Sequence, residues 1–293
     1  MKFGAIDIGT NAARLLVGEV TKEGNHSFVK KISYTRIPLR LGEDVFDKGK
    51  ITPKKLDNFL KTIQAFKLIS EIFKVKSLRC CATSAMREAS NKEDVIAQIL
   101  DKTGVEIEVI SGDEEARLIF GTFFLLDFDK SKPFLVIDVG GGSTEISVFE
   151  HGEKVAAKSF ELGTLRLLKE KTNSEIWHDL DKWISKNVDL KVPHEIYATG
   201  GNINKVHKML GAQEDKPITL ANMIKLHDDL ALLTVEQRMD LYHLKPDRAD
   251  VIIPAMDIYA FILKKVKAKQ FFVPKIGLSD GMIYDLFLKS KGK

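Results

Sequence analysis

A chain of 293 residues that is 44% hydrophobic and 29% charged can bury a sizeable core, and its length suits one large domain or two of ordinary size. Its formal net charge of +4 tolerates a polyanionic partner but falls short of a nucleic-acid-binding signature, so no specific nucleic acid is expected. Cys80 and Cys81 are adjacent, a poor geometry for a disulfide; with no apolar leader in MKFGAIDIGTN and no uncharged apolar run of ~18 residues, a cytoplasmic protein without a membrane segment is expected.

In chain order, residues 3–8 and 13–20 read as strands around a short turn, and HSFVKKISYTRIPL adds further strand. Thr52 is placed to cap a helix with Pro53 at its first position, and Leu56, Phe59, Leu60, Ile63, Phe66 and Phe73 recur at helical spacing as a core stripe. SLRCCATS reads as a strand, Ser90 and Glu93 have the spacing of a capping box, VEIEVI is the next strand, and a helix runs from about Gly112 to Leu126. The polar stretch DFDKSKP is taken as a boundary, giving halves 1–126 and 127–293, with the last helix allowed to pack back on the first half.

The second half opens with FLVIDVGGGSTEISVFE, and FGAIDIGTNAARLLVGE repeats its pattern, with Asp7 matching Asp138 and Gly9 matching Gly140 at an offset of 131 residues. Such strand, glycine turn, strand devices bring backbone N–H groups close to an anion, and the carboxylates at the strand ends suit a hydrated divalent cation. Candidate phosphate-binding residues are therefore Thr10, Asn11, Gly140, Gly141, Gly142, Ser143 and Thr144, with Asp7 and Asp138 as metal candidates. A tight hairpin whose aspartate merely bonds turn amides is the competing reading for any one turn. A third turn, IYATGGNINKV, runs from a strand through Gly200 and Gly201 into a helix beginning near Asn202, again a place for an anion.

Together the three turns resemble the phosphate motifs of the actin, sugar kinase and heat-shock chaperone ATPase superfamily. The resemblance implies an α/β fold of two duplicated ribonuclease H-like domains flanking a cleft. ATSAMREASN, VISGDEEARLIFGT, IDVGGGSTEI, SFELGTLRL, PDRADVIIPAMDIY and GLSDGMIYD, in this order, resemble the exopolyphosphatase and guanosine pentaphosphate phosphatase family over nearly the whole chain. That resemblance implies a Mg²⁺-dependent phosphohydrolase acting on polyphosphate or guanosine pentaphosphate, in a short two-domain form; the sequence does not fix the oligomeric state and leaves a homodimer open.

By its match to the family motif Glu115 would be the water-activating base, Asp138 and Glu145 the Mg²⁺-associated pair, and Arg87 a phosphate contact. Each has a plainer competitor: a first-turn helix acid for Glu115, a solvent-facing strand residue for Glu145, and a surface ion pair with Glu88 or Glu93 for Arg87. Arg166 and Lys205 are weaker phosphate candidates, and Arg14 is expected to pair across the cleft. Asn202 stands where the family more often has a small hydroxyl residue. An ATP-dependent kinase of the same superfamily and a catalytically weak polyphosphate or alarmone sensor are the alternatives. The seven histidines show no zinc-site spacing, and no GxxxxGK[ST] loop occurs.

Overall fold

The computed structural model describes the chain except residues 24–25, 124–125, 127–128, 130, 171, 173, 214–215 and 293. The chain divides into two compact units, Met1–Phe128 with Ile276–Lys293, and Asp129–Lys275. The sequence boundary proposed at 126/127 meets Asp127, which lies outside the described residues.

The first unit is built from β1 (Lys2–Ile8), β2 (Ala13–Glu23), β3 (His26–Ile37), α1 (Leu41–Lys48), α2 (Pro53–Ile72), β4 (Ser77–Ala82), α3 (Ser84–Glu88), α4 (Lys92–Thr103), β5 (Glu108–Val109) and α5 (Gly112–Phe123). Its sheet has the order β3-β2-β1-β4-β5, antiparallel from β3 to β1 and parallel from β1 to β5. As the central strand, β1 is covered on both faces, which explains its nearly unbroken apolar run through Phe3, Ala5, Ile6 and Ile8. Thr52 caps α2 by accepting from the Lys55 amide, and Phe59, Leu60, Ile63 and Phe66 are buried along it, each such side chain worth roughly 1.5–3 kcal/mol.

Several local expectations are corrected. The Ser90–Glu93 capping box does not form: α4 starts after Asn91, whose amide bonds the backbone of Ile51 in both directions at 2.9 and 3.0 Å. A tertiary contact has taken the cap position. The strand in SLRCCATS stops at Ala82 because Ser84 begins α3, and only Glu108 and Val109 of VEIEVI pair as strand. Helix α5 ends at Phe123; Phe124 and Leu125, inside the expected helix, lie outside the described residues.

The second unit comprises β6 (Phe134–Val139), β7 (Thr144–Glu150), β8 (Glu153–Phe160), α6 (Thr164–Leu168), α7 (Glu175–Asn187), β9 (Glu195–Thr199), α8 (Gly201–Met209), β10 (Ile218–Thr219), α9 (Leu220–Ala231), α10 (Val235–Tyr242), α11 (Pro246–Ala249), α12 (Ile252–Lys265) and β11 (Gln270–Phe271). Its main sheet, β8-β7-β6-β9, repeats the antiparallel hairpins and parallel crossover of the first unit. Helix α12 lies in the core of this unit through Ala255, Met256, Tyr259, Ile262 and Leu263. The chain then returns to the first unit as α13 (Leu278–Ser290). The architecture is thus the α/β class with repeated ribonuclease H-like units that the duplicated turns imply. Both cysteines are buried free thiols; burial pushes Cys81 up to about 12 and Cys80 well above its usual value. Among the described residues no helix is long and apolar enough to cross a membrane.

Candidate active site

In the second unit, Asp138 is the penultimate residue of β6 and Glu145 the second of β7, and the hairpin register sets them directly opposite one another. Residues opposite in an antiparallel pair project on the same face, so each offers a carboxylate oxygen within 4.8 Å of the other. Asp138 Oδ1 accepts from Thr199 Oγ1 at 2.9 Å, and Glu145 Oε1 from Ser159 Oγ at 2.7 Å. Two hydroxyls on neighbouring strands therefore orient two acids at the mouth of one turn.

The turn itself is closed by Gly140 N–H donating to Ser143 O at 2.9 Å. Among the described residues the amides of Gly141, Gly142 and Ser143 take no part in the backbone bonding of this turn, which leaves them available to an anion. The segment at Gly163 braces it: Thr164 and Leu165 donate to the carbonyls of Gly140 and Gly141 at 3.0 and 2.8 Å, and Arg166 Nε donates to Gly142 O at 3.0 Å. A side chain at Gly163 would run into the Gly141 and Gly142 carbonyl carbons, so only glycine permits this approach. Two of the phosphate candidates also hold the loop's shape. Thr144 is fully buried with its hydroxyl on Leu162 O at 2.5 Å, and Arg166 is buried beneath the turn.

The third turn places Gly200 at φ 119° ahead of α8. Arg248 of α11 donates to the carbonyl of Gly201 and, at 3.2 Å, to Asn202 Oδ1, so the side chain of Asn202 is held by a cation. On the same helix as Asn202, burial and the neighbouring charges of Lys208 and Arg248 hold the Lys205 amine below its usual value.

In the first unit the equivalent turn is closed in the same way, by Gly9 N–H to Ala12 O at 3.1 Å, and Thr10 is buried with its carbonyl accepting from Gly42 N at 3.0 Å. Asn11 O accepts from the Arg40 amide at 2.9 Å. Opposite Asp7, however, the register brings Arg14, and the two form a 2.7 Å ion pair. Arg14, expected to pair across a cleft, makes this ion pair within its own hairpin.

Glu115 lies in the first turn of α5 and is buried, with its Oε2 at 3.2 Å from Arg87 Nη1; the same nitrogen donates to Ile110 O at 2.9 Å. The two residues expected to be catalytic are therefore partners, and Arg87 turns neither to Glu88 nor to Glu93 in these contacts. Glu114 takes another path: its amide donates to Ser111 Oγ at 3.2 Å, while its carboxylate meets Arg117 at 2.6 Å and Arg79 at 3.4 Å. The hydrogen bond from Arg117 holds it below the usual carboxylate range against the effect of burial, with Arg79 adding to the lowering.

Sequence reasoning missed Thr199, Ser159 and Arg248, whose side chains hold candidate site residues. The first two are single hydroxyls on strands, and no spacing marks them.

The profile of the Ppx/GppA phosphatase family matches residues 19–290. The bifunctional 3-dehydroquinate synthase/phosphatase of Fusobacterium nucleatum is 28% identical over 282 residues, which cover 88% of this chain and 42% of that protein. Exopolyphosphatase 1 of Mycobacterium tuberculosis is 35% identical over 170 residues, 58% of this chain and 48% of that protein. The chain thus spans about half the length of these curated relatives in the matched regions. Among solved structures, an exopolyphosphatase from Cytophaga hutchinsonii superposes with a TM-score of 0.83 at 24% identity, covering 100% of this chain and 98% of that one, a likeness of fold.

Proposed function

The chain belongs to the Ppx/GppA phosphatase family, and from that premise we propose that it is a divalent-cation-dependent hydrolase that removes the terminal phosphate of inorganic polyphosphate or guanosine pentaphosphate. The observation that carries this reading is the pair Asp138 and Glu145 opposite one another at a glycine turn whose amides are available. Phosphoanhydride chains are dense in charge, and their hydrolysis needs donors and a cation aimed at the terminal phosphoryl oxygens.

The donor set fits Mg²⁺: hard carboxylate oxygens only, few of them, each steadied by a hydroxyl. When bound there, such an ion offsets charge on the scissile phosphoryl group. In the proposed reaction the amides of Gly141, Gly142 and Ser143 hold terminal phosphate oxygens, as do those of the Gly200–Asn202 turn. Arg87 contributes a planar fork to the same group. Glu115 takes a proton from the attacking water. A bond forms between water oxygen and the terminal phosphorus, the bond to the bridging oxygen breaks, and inorganic phosphate leaves a chain one unit shorter.

Glu115→Gln keeps the shape and removes the base. Phosphate release is expected to fall by about 10²- to 10⁴-fold with Mg²⁺ and substrate affinity preserved; unchanged turnover would remove Glu115 from the mechanism. Assays on short polyphosphate, long polyphosphate and guanosine pentaphosphate, run side by side, identify the substrate. ATP consumption that requires an acceptor, or tight binding with no release, would overturn the hydrolase reading.

A further inference from the structure

Tyr259 enters from α12, more than fifty residues from any of the glycine turns in sequence, and is completely buried. Its hydroxyl lies where β6 and β9 end. Asp138 and Thr199 are the last register pair of that parallel ladder; beyond it one strand enters the Gly140 turn and the other enters α8. The hydroxyl bridges the two strands there, accepting from Val139 N–H at 3.3 Å and donating to the Thr199 carbonyl. From the same Thr199, Oγ1 donates to Asp138 Oδ1 at 2.9 Å. A Cβ on Gly200 would lie 3.3 Å from the tyrosine hydroxyl and 3.1 Å from Asp138 Oδ1, so hydroxyl, glycine and carboxylate crowd one point.

Packing alone does not call for this oxygen. Phenylalanine would fill the same core, and a buried hydroxyl costs free energy unless it is hydrogen-bonded. Here it both donates and accepts, and both bonds fall on backbone groups adjoining the Asp138–Thr199 pair.

We propose that Tyr259 and Thr199 are positioning residues for the divalent cation at Asp138. Tyr259 pins the end of β9 to the end of β6, which fixes Thr199, and the Thr199 hydroxyl fixes the direction in which Asp138 faces Glu145. The inference rests on the reading of Asp138 and Glu145 as cation ligands.

The test is Tyr259→Phe, which deletes one oxygen. Mn²⁺ binding to substrate-free protein, followed by the electron paramagnetic resonance of free Mn²⁺, is expected to weaken roughly tenfold or more, as for other partners that orient metal ligands. The Mg²⁺ concentration for half-maximal phosphate release should rise by the same factor, with turnover at saturating Mg²⁺ within about threefold of wild type. Thr199→Val should behave likewise, Thr199→Ser should restore binding, and the double variant should lose less than the sum of the two losses, because both act through one carboxylate. A purely structural tyrosine would lower the melting temperature and leave Mn²⁺ affinity unchanged, and that result overturns the proposal. If Tyr259→Phe does not fold, Mn²⁺ affinity of Thr199→Val decides between the same two outcomes. Wild-type protein that neither binds Mn²⁺ nor releases phosphate would sink the functional reading itself, whereas an active wild type with indifferent variants sinks only this inference.

Discussion

Asp113, Glu114 and Glu115 stand side by side in the first turn of α5, where the helix dipole favours all three, and the capping-box spacing of Ser111 and Glu114 sets only Glu114 apart. The structure separates them by what they meet. Glu114 is bound to Arg117 and Arg79, while Glu115 is buried against Arg87. The expectation for Glu115 rests on the family motif, because the arginine it meets is 28 residues away in sequence. Arg87 reaches Ile110 O and Glu115 from one nitrogen of a planar group, which an ammonium cannot match while also presenting a fork to a phosphate. Arg87→Lys should therefore lower kcat/KM for phosphate release by about 10²-fold, the scale of losing one oriented donor. Steady-state kinetics with wild-type values for the lysine variant would show that Arg87 touches no phosphate.

At the level of elements, two glycines inside helices look alike in sequence and behave oppositely in the fold. Gly281 of α13 faces α5, and a Cβ there would strike the carbonyl carbon and oxygen of Leu118. In an open helix, glycine to alanine gains roughly 0.5–1 kcal/mol. Backbone atoms of a packed neighbour cannot rotate away, so Gly281→Ala should instead cost about 1–3 kcal/mol, the range for overpacking. Gly121→Ala, on α5 itself, supplies the control, since among the described residues nothing lies within 4 Å of the added carbon. Urea unfolding that finds Gly281→Ala as stable as Gly121→Ala would show that α13 does not press on α5 in this way.

The same helix marks the limit of what patterns revealed. The sequence reading allows the last helix to pack back on the first half, but a period alone cannot say which sheet a helix returns to. Strand β8 went unseen for a related reason: most of EKVAAKSF is partly or fully exposed, so no alternation of apolar residues advertises it. The glycine hairpins were legible because backbone geometry demands small residues at fixed offsets. The hydroxyls that steady their carboxylates were not, because register alone brings Thr199 and Ser159 to them.

Across the whole molecule, one device has been kept twice and given two electrostatic endings. Gly9 closes on Ala12 as Gly140 closes on Ser143, and Asp7 and Asp138 each face the residue seven positions on. In the first unit that residue is Arg14, and the facing charges cancel at 2.7 Å. In the second it is Glu145, so two carboxylates face each other, the arrangement proposed above to hold a cation. The strand neighbour of each aspartate has diverged as well: Cys81 beside Asp7 cannot orient a carboxylate as the Thr199 hydroxyl does beside Asp138. Duplication thus supplies two turns of one backbone design, and under the proposed function the residue facing each aspartate is what assigns the cation to the second. It follows that Mg²⁺ added to substrate-free protein should slow amide hydrogen exchange at Gly140–Thr144 and at Gly200–Asn202, while leaving Gly9–Ala12 unchanged. Mass spectrometry of peptides covering the three turns reads this directly. Equal protection at the first turn would mean that the Asp7–Arg14 pair opens to admit the ion, and the asymmetry argued from register and charge would fail.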